Sequence, residues 1–260
     1  MSWHHLERSK RNILIPLFSE HKASCLVNTI LEGHAGEAVV DDMNAPSIAM
    51  LAYADVVIFG GDARHPQAIK LAQQLPEERA VLPCSDEWHR LLAEVFGHLL
   101  VPIERFSFTD ERLDTDHLNQ LALRVPEGYE IQAIDLAMAH LIVADPSLIS
   151  PDHVRNFDTP EDFVQRGFGF CALHNGSIVA GVSTYAACST GIEIQVNTQE
   201  SYRGHGLATA LSARLILQAR ERGLAAPWDA ANEASAKLAK KLGYTSAGTW
   251  TAWVRIPSGN

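Results

Sequence analysis

No run of apolar residues approaches the roughly 18–20 needed to cross a bilayer, and the start, Met1 to Asn12, is polar and charged without the apolar stretch of an export signal. Neither membrane spanning nor secretion is expected, and a cytoplasmic location follows by default. Basic side chains are in the minority: 21 Lys and Arg stand against 31 Asp and Glu, a formal net charge of -10, and the cations nowhere cluster. Phosphate backbones are held by dense basic faces, so nucleic-acid binding is not expected. A cationic small substrate remains admissible, although net acidity also serves solubility alone.

Cysteine is sparse too. Cys25, Cys84, Cys171 and Cys188 are far apart and show no C-x-x-C spacing, so they are expected to be reduced and mostly buried thiols. The scattered histidines lack H-E-x-x-H or any other ligand spacing, and no metal site is expected. No fixed-period repeat or low-complexity segment appears, which argues against solenoids and propellers. What the chain does contain is 47% apolar and 20% charged residues over 260 positions, enough to fold throughout and to bury one large core or two.

The clearest punctuation is Pro126-Glu127-Gly128, which follows a charged helical stretch, Asp110 to Arg124, and precedes a new alternating pattern at Tyr129 to Ile134. A domain boundary is expected there, giving an α/β domain over 1–126 of unknown role and a second domain over 127–260. In the first, Gly36 to Asp41 and Ser47 to Gly60 read as strands joined by Met43-Asn44-Ala45-Pro46. Helices are expected at Pro66 to Gln74 and, capped by Ser85, at Asp86 to Gly97, with short strands near Ala80 to Leu82 and Pro102 to Phe108. No reactive constellation stands out in this half.

The second domain reads as a strand, helical segments through Phe163, and then a hairpin of Gly169 to His174 and Ser177 to Ala186. Asn175-Gly176 between them supplies the positive φ angles of a type I′ turn. A strand from Gly191 to Thr198 follows, then a helix from Gly206 to Arg222, a strand at Ala226 to Ala230, a helix at Ser235 to Leu242 and a last strand at Ser246 to Ile256. In Gly191 to Thr198, Ile192, Ile194 and Val196 alternate with Glu193, Gln195 and Asn197, so one face is apolar and the other polar. Directly afterwards Arg203-Gly204-His205-Gly206 leads into a helix whose Leu207, Leu211 and Leu215 keep the spacing of a buried stripe.

Strand, glycine turn and helix in that order make an anion site. The first N–H groups of a helix lack internal partners, the macrodipole adds partial positive charge, and glycine lets backbone amides approach an oxyanion. A pyrophosphate is the natural ligand, although an ordinary turn before a helix has the same look. The dinucleotide fingerprint fails because Thr209 stands at the third glycine, and the Walker A pattern fails because no Lys-Ser/Thr follows.

Arg203-Gly204-His205-Gly206-Leu207-Ala208 resembles the [Q/R]-x-x-G-x-[G/A] motif of the GNAT acetyltransferase superfamily. So do Asn232-Glu233-Ala234-Ser235 and Lys241-Leu242-Gly243-Tyr244 downstream. Segments such as Gly167-Phe168-Gly169-Phe170-Cys171 and Pro227-Trp228-Asp229-Ala230-Ala231-Asn232 are similar to the branch that contains the zwittermicin A resistance acetyltransferase. The motif-bearing likeness covers about Tyr129 to Ile256. It implies an α/β fold of the α+β type, with a mixed, splayed central sheet flanked by helices. The implied chemistry is acetyl transfer from acetyl-CoA, bound as acyl donor, to a primary amine of a small molecule by direct attack on the thioester.

Carried over residue by residue, the resemblance implies that Val196, Asn197 and Thr198 pair with the pantetheine arm. Arg203, Gly204, His205, Gly206, Leu207, Ala208 and Thr209 would wrap the pyrophosphate, and Asn232 and Ser235 would face the reactive end. Glu193, on the polar face beside the expected thioester, is the candidate general base, the alternative being a solvated strand carboxylate. Asp229 is a second carboxylate that either orients the amine or caps the turn at Asn232 to Ser235. Many relatives carry a tyrosine acid where this chain has Ala239. Ser235 then becomes the candidate donor to the thiolate, with plain N-capping as its alternative, and a non-catalytic acyl-CoA-binding sensor or interaction module is the competing function. No nucleic-acid or membrane partner is expected, and a homodimer is compatible with everything read so far.

Overall fold

A computed structural model describes residues 3–19, 21, 24–82 and 85–258, so the expectation for Cys84 lies outside the described residues. Its elements, short 3-10 turns aside, run β1 (His4–His5), α1 (Ile15–Phe18), α2 (Ser24–Leu31), β2 (Glu37–Val40), β3 (Ile48–Tyr53), β4 (Val56–Gly61), α3 (Ala68–Ala72), β5 (Ala80–Val81), α4 (Asp86–Phe96), β6 (Leu100–Thr109) and α5 (Thr115–Ala122). The chain continues with β7 (Tyr129–Ala133), α6 (Leu136–Ala144), α7 (Asp152–Arg155), α8 (Pro160–Arg166), β8 (Gly169–His174), β9 (Ser177–Ala187), β10 (Ile192–Thr198), α9 (Leu207–Glu221), β11 (Trp228–Ala230), α10 (Glu233–Leu242) and β12 (Thr245–Arg255).

This order states the same sentence twice: a strand, helices, three strands, a helix, a strand, a helix and a strand, first from β1 to β6 and again from β7 to β12, with α5 as the link. The two compact units do not divide where the sentence does. One comprises residues 1–105 and 250–260, the other 106–249. Pro126-Glu127-Gly128, the boundary expected from sequence, lies in the connection between α5 and β7. The chain crosses from unit to unit inside β6 and again inside β12, so each unit takes a strand end from the other half of the sequence.

In the first unit the strands follow the order β1-β2-β3-β4-β5-β12. The end of β12 pairs antiparallel with β5 through Trp253↔Val81 and Val254↔Ala80. The segment Ser47 to Gly60, read as a single strand, is a hairpin: β3 and β4 pair antiparallel down to Tyr53↔Val56. Its turn holds Ala54 at φ 49, a conformation that costs an L-residue about 1 kcal/mol and that alanine does not signal. Ser85 caps α4 as its position suggests, accepting the N–H of Trp88 at 3.2 Å. Phe59, Leu71, Leu75 and Trp88 are core residues here. The buried Arg11 guanidinium is met by carbonyl oxygens of Leu6, Ile30, Ala35 and Gly36, so its charge is solvated by dipoles rather than by water.

In the second unit, β10-β9-β8-β7 form an antiparallel sheet. The β8–β9 hairpin turns through Asn175 at φ 50 and Gly176 at φ 80, the two left-handed residues that a type I′ turn requires. A separate pairing joins β11 to the end of β6 through Trp228↔Phe108, Asp229↔Ser107 and Ala230↔Phe106. Between these layers runs α9, buried on two faces. Leu207, Leu211, Leu215 and Ala219 enter the core of the four-stranded sheet, while Ala213 and Ile216 join Phe108, Trp228 and Tyr244 on the other side. Arg220 fastens α9 to the α5 segment, donating to the carbonyl oxygen of Leu113 at 2.8 Å and to Thr115 Oγ1 at 2.9 Å. Cys25, Cys171 and Cys188 are buried thiols, and burial pushes the Cys171 thiol up to about 12. No described helix is long and apolar enough to cross a membrane.

Candidate functional site

The site begins where two strands part. Gly191 and Ala225 form a single parallel bridge, closed by Ile192 N–H donating to Ala225 O at 2.9 Å and Ala225 N–H donating to Thr190 O at 3.0 Å. Beyond that bridge β10 stays with β9 and β11 goes to β6. One edge of β10 is therefore left without a strand partner among the described residues. Glu193 is the second residue past the bridge on one diverging strand, and Asp229 lies on the other; both are half-buried. At this level the β9–β10 register jumps from Glu193↔Ala186 to Ile194↔Thr184. Tyr185 is the extra residue of that bulge, which increases local twist and helps the edge turn away.

At its far end β10 leads through a 3-10 turn, Glu200–Tyr202, into the glycine turn and α9. Gly204 at φ 82 and Gly206 at φ 84 both sit in the left-handed region, and a Cβ at either would meet nothing within 4 Å. These glycines therefore serve backbone conformation and outward access, not close internal packing. Gly206 is the N-cap of α9 and offers no side chain to it. Among the hydrogen bonds of the described residues, none uses the N–H of Gly204, His205, Gly206, Leu207 or Ala208 as donor; the first helical donors are Thr209 and Ala210, both to Gly206 O. Unpaired amides at the positive end of a 15-residue helix are what an oxyanion needs.

A pocket of about 250 Å³ opens at this turn, lined by Thr198, Tyr202, Arg203, Gly204, Gly206, Leu207, Ala208, Thr209 and Lys241. Seven of the residues assigned from sequence to a cofactor thus share one cavity. Tyr202 and Lys241 join them, and neither was assigned to the cofactor from sequence: Tyr202 directly precedes the motif, whereas Lys241, quoted above in the Lys241-Leu242-Gly243-Tyr244 segment, reaches the pocket only by tertiary folding. Arg203 Nε donates to Thr198 O at 3.3 Å. His205 is exposed, with Nδ1 3.1 Å from Tyr202 O and its ring 6.0 Å from that of Tyr129, outside the pocket lining.

Val196 and Asn197 lie on the same strand but do not line the pocket. Val196 packs partly into both cores that flank α9. The Asn197 side chain turns to a buried histidine: His153 Nε2 lies 2.6 Å from Asn197 Oδ1 and its Nδ1 2.8 Å from Ser183 Oγ. Burial lowers the His153 pKa from 6.5 to about 4, so the ring is neutral near pH 7.

The start of α10 shows which residue caps the helix. Asn232 is the N-cap, its Oδ1 accepting the Ser235 N–H at 3.0 Å, so neither Ser235 nor Asp229 caps the helix. Ser235 Oγ accepts Trp228 Nε1–H at 2.9 Å, which leaves its own hydroxyl proton available to another acceptor. Ala239 is fully buried and inert. The nearby Tyr244 hydroxyl donates to Ala226 O at 2.6 Å, and burial holds its pKa well above the ordinary value. No group of three or more His, Cys, Asp or Glu side chains suited to a metal ion occurs among the described residues.

A family model described as GNAT acetyltransferase matches residues 15–253, most of both units. A GCN5-related N-acetyltransferase-like protein from Streptococcus suis 89/1591 has a crystal structure that is 32% identical in sequence, superposes with a TM-score of 0.82, and covers 95% of this chain and 99% of its own. A protein of Bacillus subtilis (strain 168) described as an uncharacterized N-acetyltransferase, YdfB, is 24% identical over 259 residues, covering 95% of this chain and 97% of its own. A tandem GNAT protein from the clavulanic acid biosynthesis pathway is similar in fold, with a TM-score of 0.58 and 14% identity over 99% of this chain and 100% of its own.

Proposed function

Because the chain belongs to the GNAT acetyltransferase family and is an acyltransferase, we propose that it is a cytoplasmic enzyme that takes acetyl-CoA as donor and acetylates a primary amine of a small molecule. The observation that carries this reading is the run of five undonated N–H groups from Gly204 to Ala208 at the mouth of the pocket. The cofactor's diphosphate accepts from them, and its pantetheine arm runs along the unpartnered edge of β10 through Val196, Asn197 and Thr198, supplying peptide-like hydrogen bonds in place of a strand. The arm then points back toward the bridge at Gly191↔Ala225, where Glu193 and Asp229 flank the thioester.

There the amine nitrogen attacks the thioester carbonyl carbon and the C–S bond breaks, giving an amide and CoA. Glu193 removes the amine proton, directly or through water, and Asp229 orients the amine. Ser235 donates a hydrogen bond from its hydroxyl to the departing thiolate, in the place that Ala239 leaves open, and the thiolate takes up the proton that left the amine.

The cofactor site belongs to the second half of the chain alone. In the first half the strands corresponding to β10 and β11 are β4 and β5, and they stay paired through Val56↔Ala80 and Val57↔Val81, with a further bond from Leu82 N–H to Val57 O. The corresponding turn is filled by its own carboxylate: Asp62 Oδ1 accepts the backbone N–H and the Nε–H of Arg64. Among the described residues, the first half thus has a closed seam and an acidic turn where the second has a splay and glycines.

Thiol release measured over a panel of amines tests the activity, and calorimetric titration with CoA should give one equivalent per chain. A wild-type protein that binds no CoA at millimolar concentration would sink the reading. Glu193→Gln should lower kcat/KM by about 100-fold and move the activity profile to higher pH, since the amine must then lose its proton unaided. Unchanged kinetics in that variant would remove Glu193 as base.

A further inference from the structure

From Ile178 to Ala187, β9 is buried at every residue except Tyr185, which is half-buried. Tyr185 is also the extra residue of the bulge, placed between Thr184, the partner of Ile194, and Ala186, the partner of Glu193. A strand that is otherwise shut thus opens at one point, and the side chain at that point is aromatic. Bulges re-aim a side chain where a ladder is interrupted, and they recur beside active sites.

The register fixes the direction of the ring. Ser183 and Gln195 are cross-strand partners, as are Gly181 and Asn197, so all four share one face, and alternation puts Tyr185 and Glu193 on it as well. The opposite face, with Ile194 and Val196, packs against the cores that flank α9. On the Tyr185 face, His153 of α7 covers Ser183 and reaches Asn197. A Cβ at Gly181 would stand 2.7 Å from Ile149 Cδ1 and 3.1 Å from His153 Nε2, so the helical layer sits directly on the strand there. Ser183 is fully buried beneath it. Two residues further on the cover thins, and Tyr185, Glu193 and Gln195 are all half-buried.

An aromatic ring and a carboxylate on one face suit an organic cation. The negative face of the ring attracts an ammonium, and the carboxylate accepts its N–H groups. Partial burial strengthens the ring contact by removing competing water. The net charge of -10 favours the approach of a cation over the same distance at which it would repel an anion.

Resting on the acetyl-CoA reading above, we infer that Tyr185 is an acceptor-binding residue and that the acceptor is an alkylammonium compound, received over the Tyr185 ring with its N–H groups toward Glu193. The bound ammonium gives one proton to Glu193 and becomes the neutral amine that attacks the thioester. Arylamines are neutral near pH 7 and lack the charge that this arrangement selects.

The test measures thiol release from acetyl-CoA with cadaverine, spermidine and kanamycin as alkylammonium acceptors and with aniline and p-anisidine as arylamines. In kcat/KM the wild type should prefer an alkylammonium acceptor to both arylamines by about tenfold or more. With that acceptor, Tyr185→Leu should raise the amine KM about tenfold and leave the KM for acetyl-CoA unaltered, whereas Tyr185→Phe keeps the ring and should stay near wild type. Pentafluorophenylalanine installed at position 185 preserves the ring shape and inverts its quadrupole, so it should raise the amine KM as leucine does, and it gives the answer if the leucine variant fails to fold. An amine KM unmoved by the fluorinated ring, an equal rise in KM for both substrates, a comparable loss in Tyr185→Phe, or a preference for arylamines overturns the assignment. A wild type that binds CoA and releases thiol with none of the five amines overturns the acetyl-transfer reading, and this one with it.

Discussion

At the scale of single residues, the second half of the chain depends on a neutral histidine packed against β9 and β10. His153 is buried and held between Ser183 and Asn197, and its pKa falls from 6.5 to about 4 through desolvation. A protonated ring is admitted by the unfolded chain and resisted by the folded one. The associated stability is therefore complete above pH 6.5 and is lost as pH falls toward 4, amounting to about 3 kcal/mol at full loss. Urea unfolding at pH 7.5 and pH 4.5 should show this drop in wild type and a smaller one in His153→Gln; equal drops would mean that the ring is not buried as described. None of this could be read from sequence. His153 and Asn197 are remote in the chain, and a lone histidine among helical residues carries no mark of its partner. The place of Lys241 beside the glycine turn was hidden for the same reason, although its Lys-Leu-Gly-Tyr segment was legible. Arg203, Gly204, Gly206 and Leu207 were visible because their chemistry is contiguous.

At the scale of elements, legibility followed the strength of local backbone demands. The β8–β9 hairpin was readable because Asn175 and Gly176 are residues that accept positive φ. The β3–β4 hairpin was missed because Ala54 adopts φ 49 without belonging to the residue types that announce a turn. The α9 stripe was readable in Leu207, Leu211 and Leu215, yet the second buried face, through Ala213 and Ile216, needs the α5 and β11 layer to explain it. The glycine turn allows a separation of conformation from packing, since a Cβ at Gly206 strains the backbone but meets no atom. Gly206→Ala should thus cost only about 1 kcal/mol of stability, a fall of about 2–4 °C in Tm for a chain of this size. Its affinity for CoA should fall more than tenfold as the methyl group and the altered turn displace phosphate oxygens from the amides. Thermal melts with and without CoA measure both, and full protection of the variant by CoA would show that the turn does not hold the ligand.

At the scale of the whole molecule, the repeated order of elements was not legible because the two passes share topology and little else. The glycine turn and 15-residue α9 of the second pass correspond in the first to Asp62-Ala63-Arg64-His65-Pro66-Gln67 and the five-residue α3. The domain expectation, drawn from Pro126-Glu127-Gly128, followed punctuation in the sequence. The compact units instead follow the passage of β6 and β12 from one unit to the other.

That passage bears on how the chain matures during synthesis. The first unit has its β5 edge covered by Trp253 and Val254, which follow β5 in the chain by the whole of the second pass, so its sheet stays unfinished until β12 has been made. A nascent chain stopped after residue 249 should present Ala80 and Val81 as a raw edge, aggregate readily and be cut early in limited proteolysis, whereas the full-length protein resists. Comparable resistance of the two would mean that the first hundred residues mature without waiting for the end of β12.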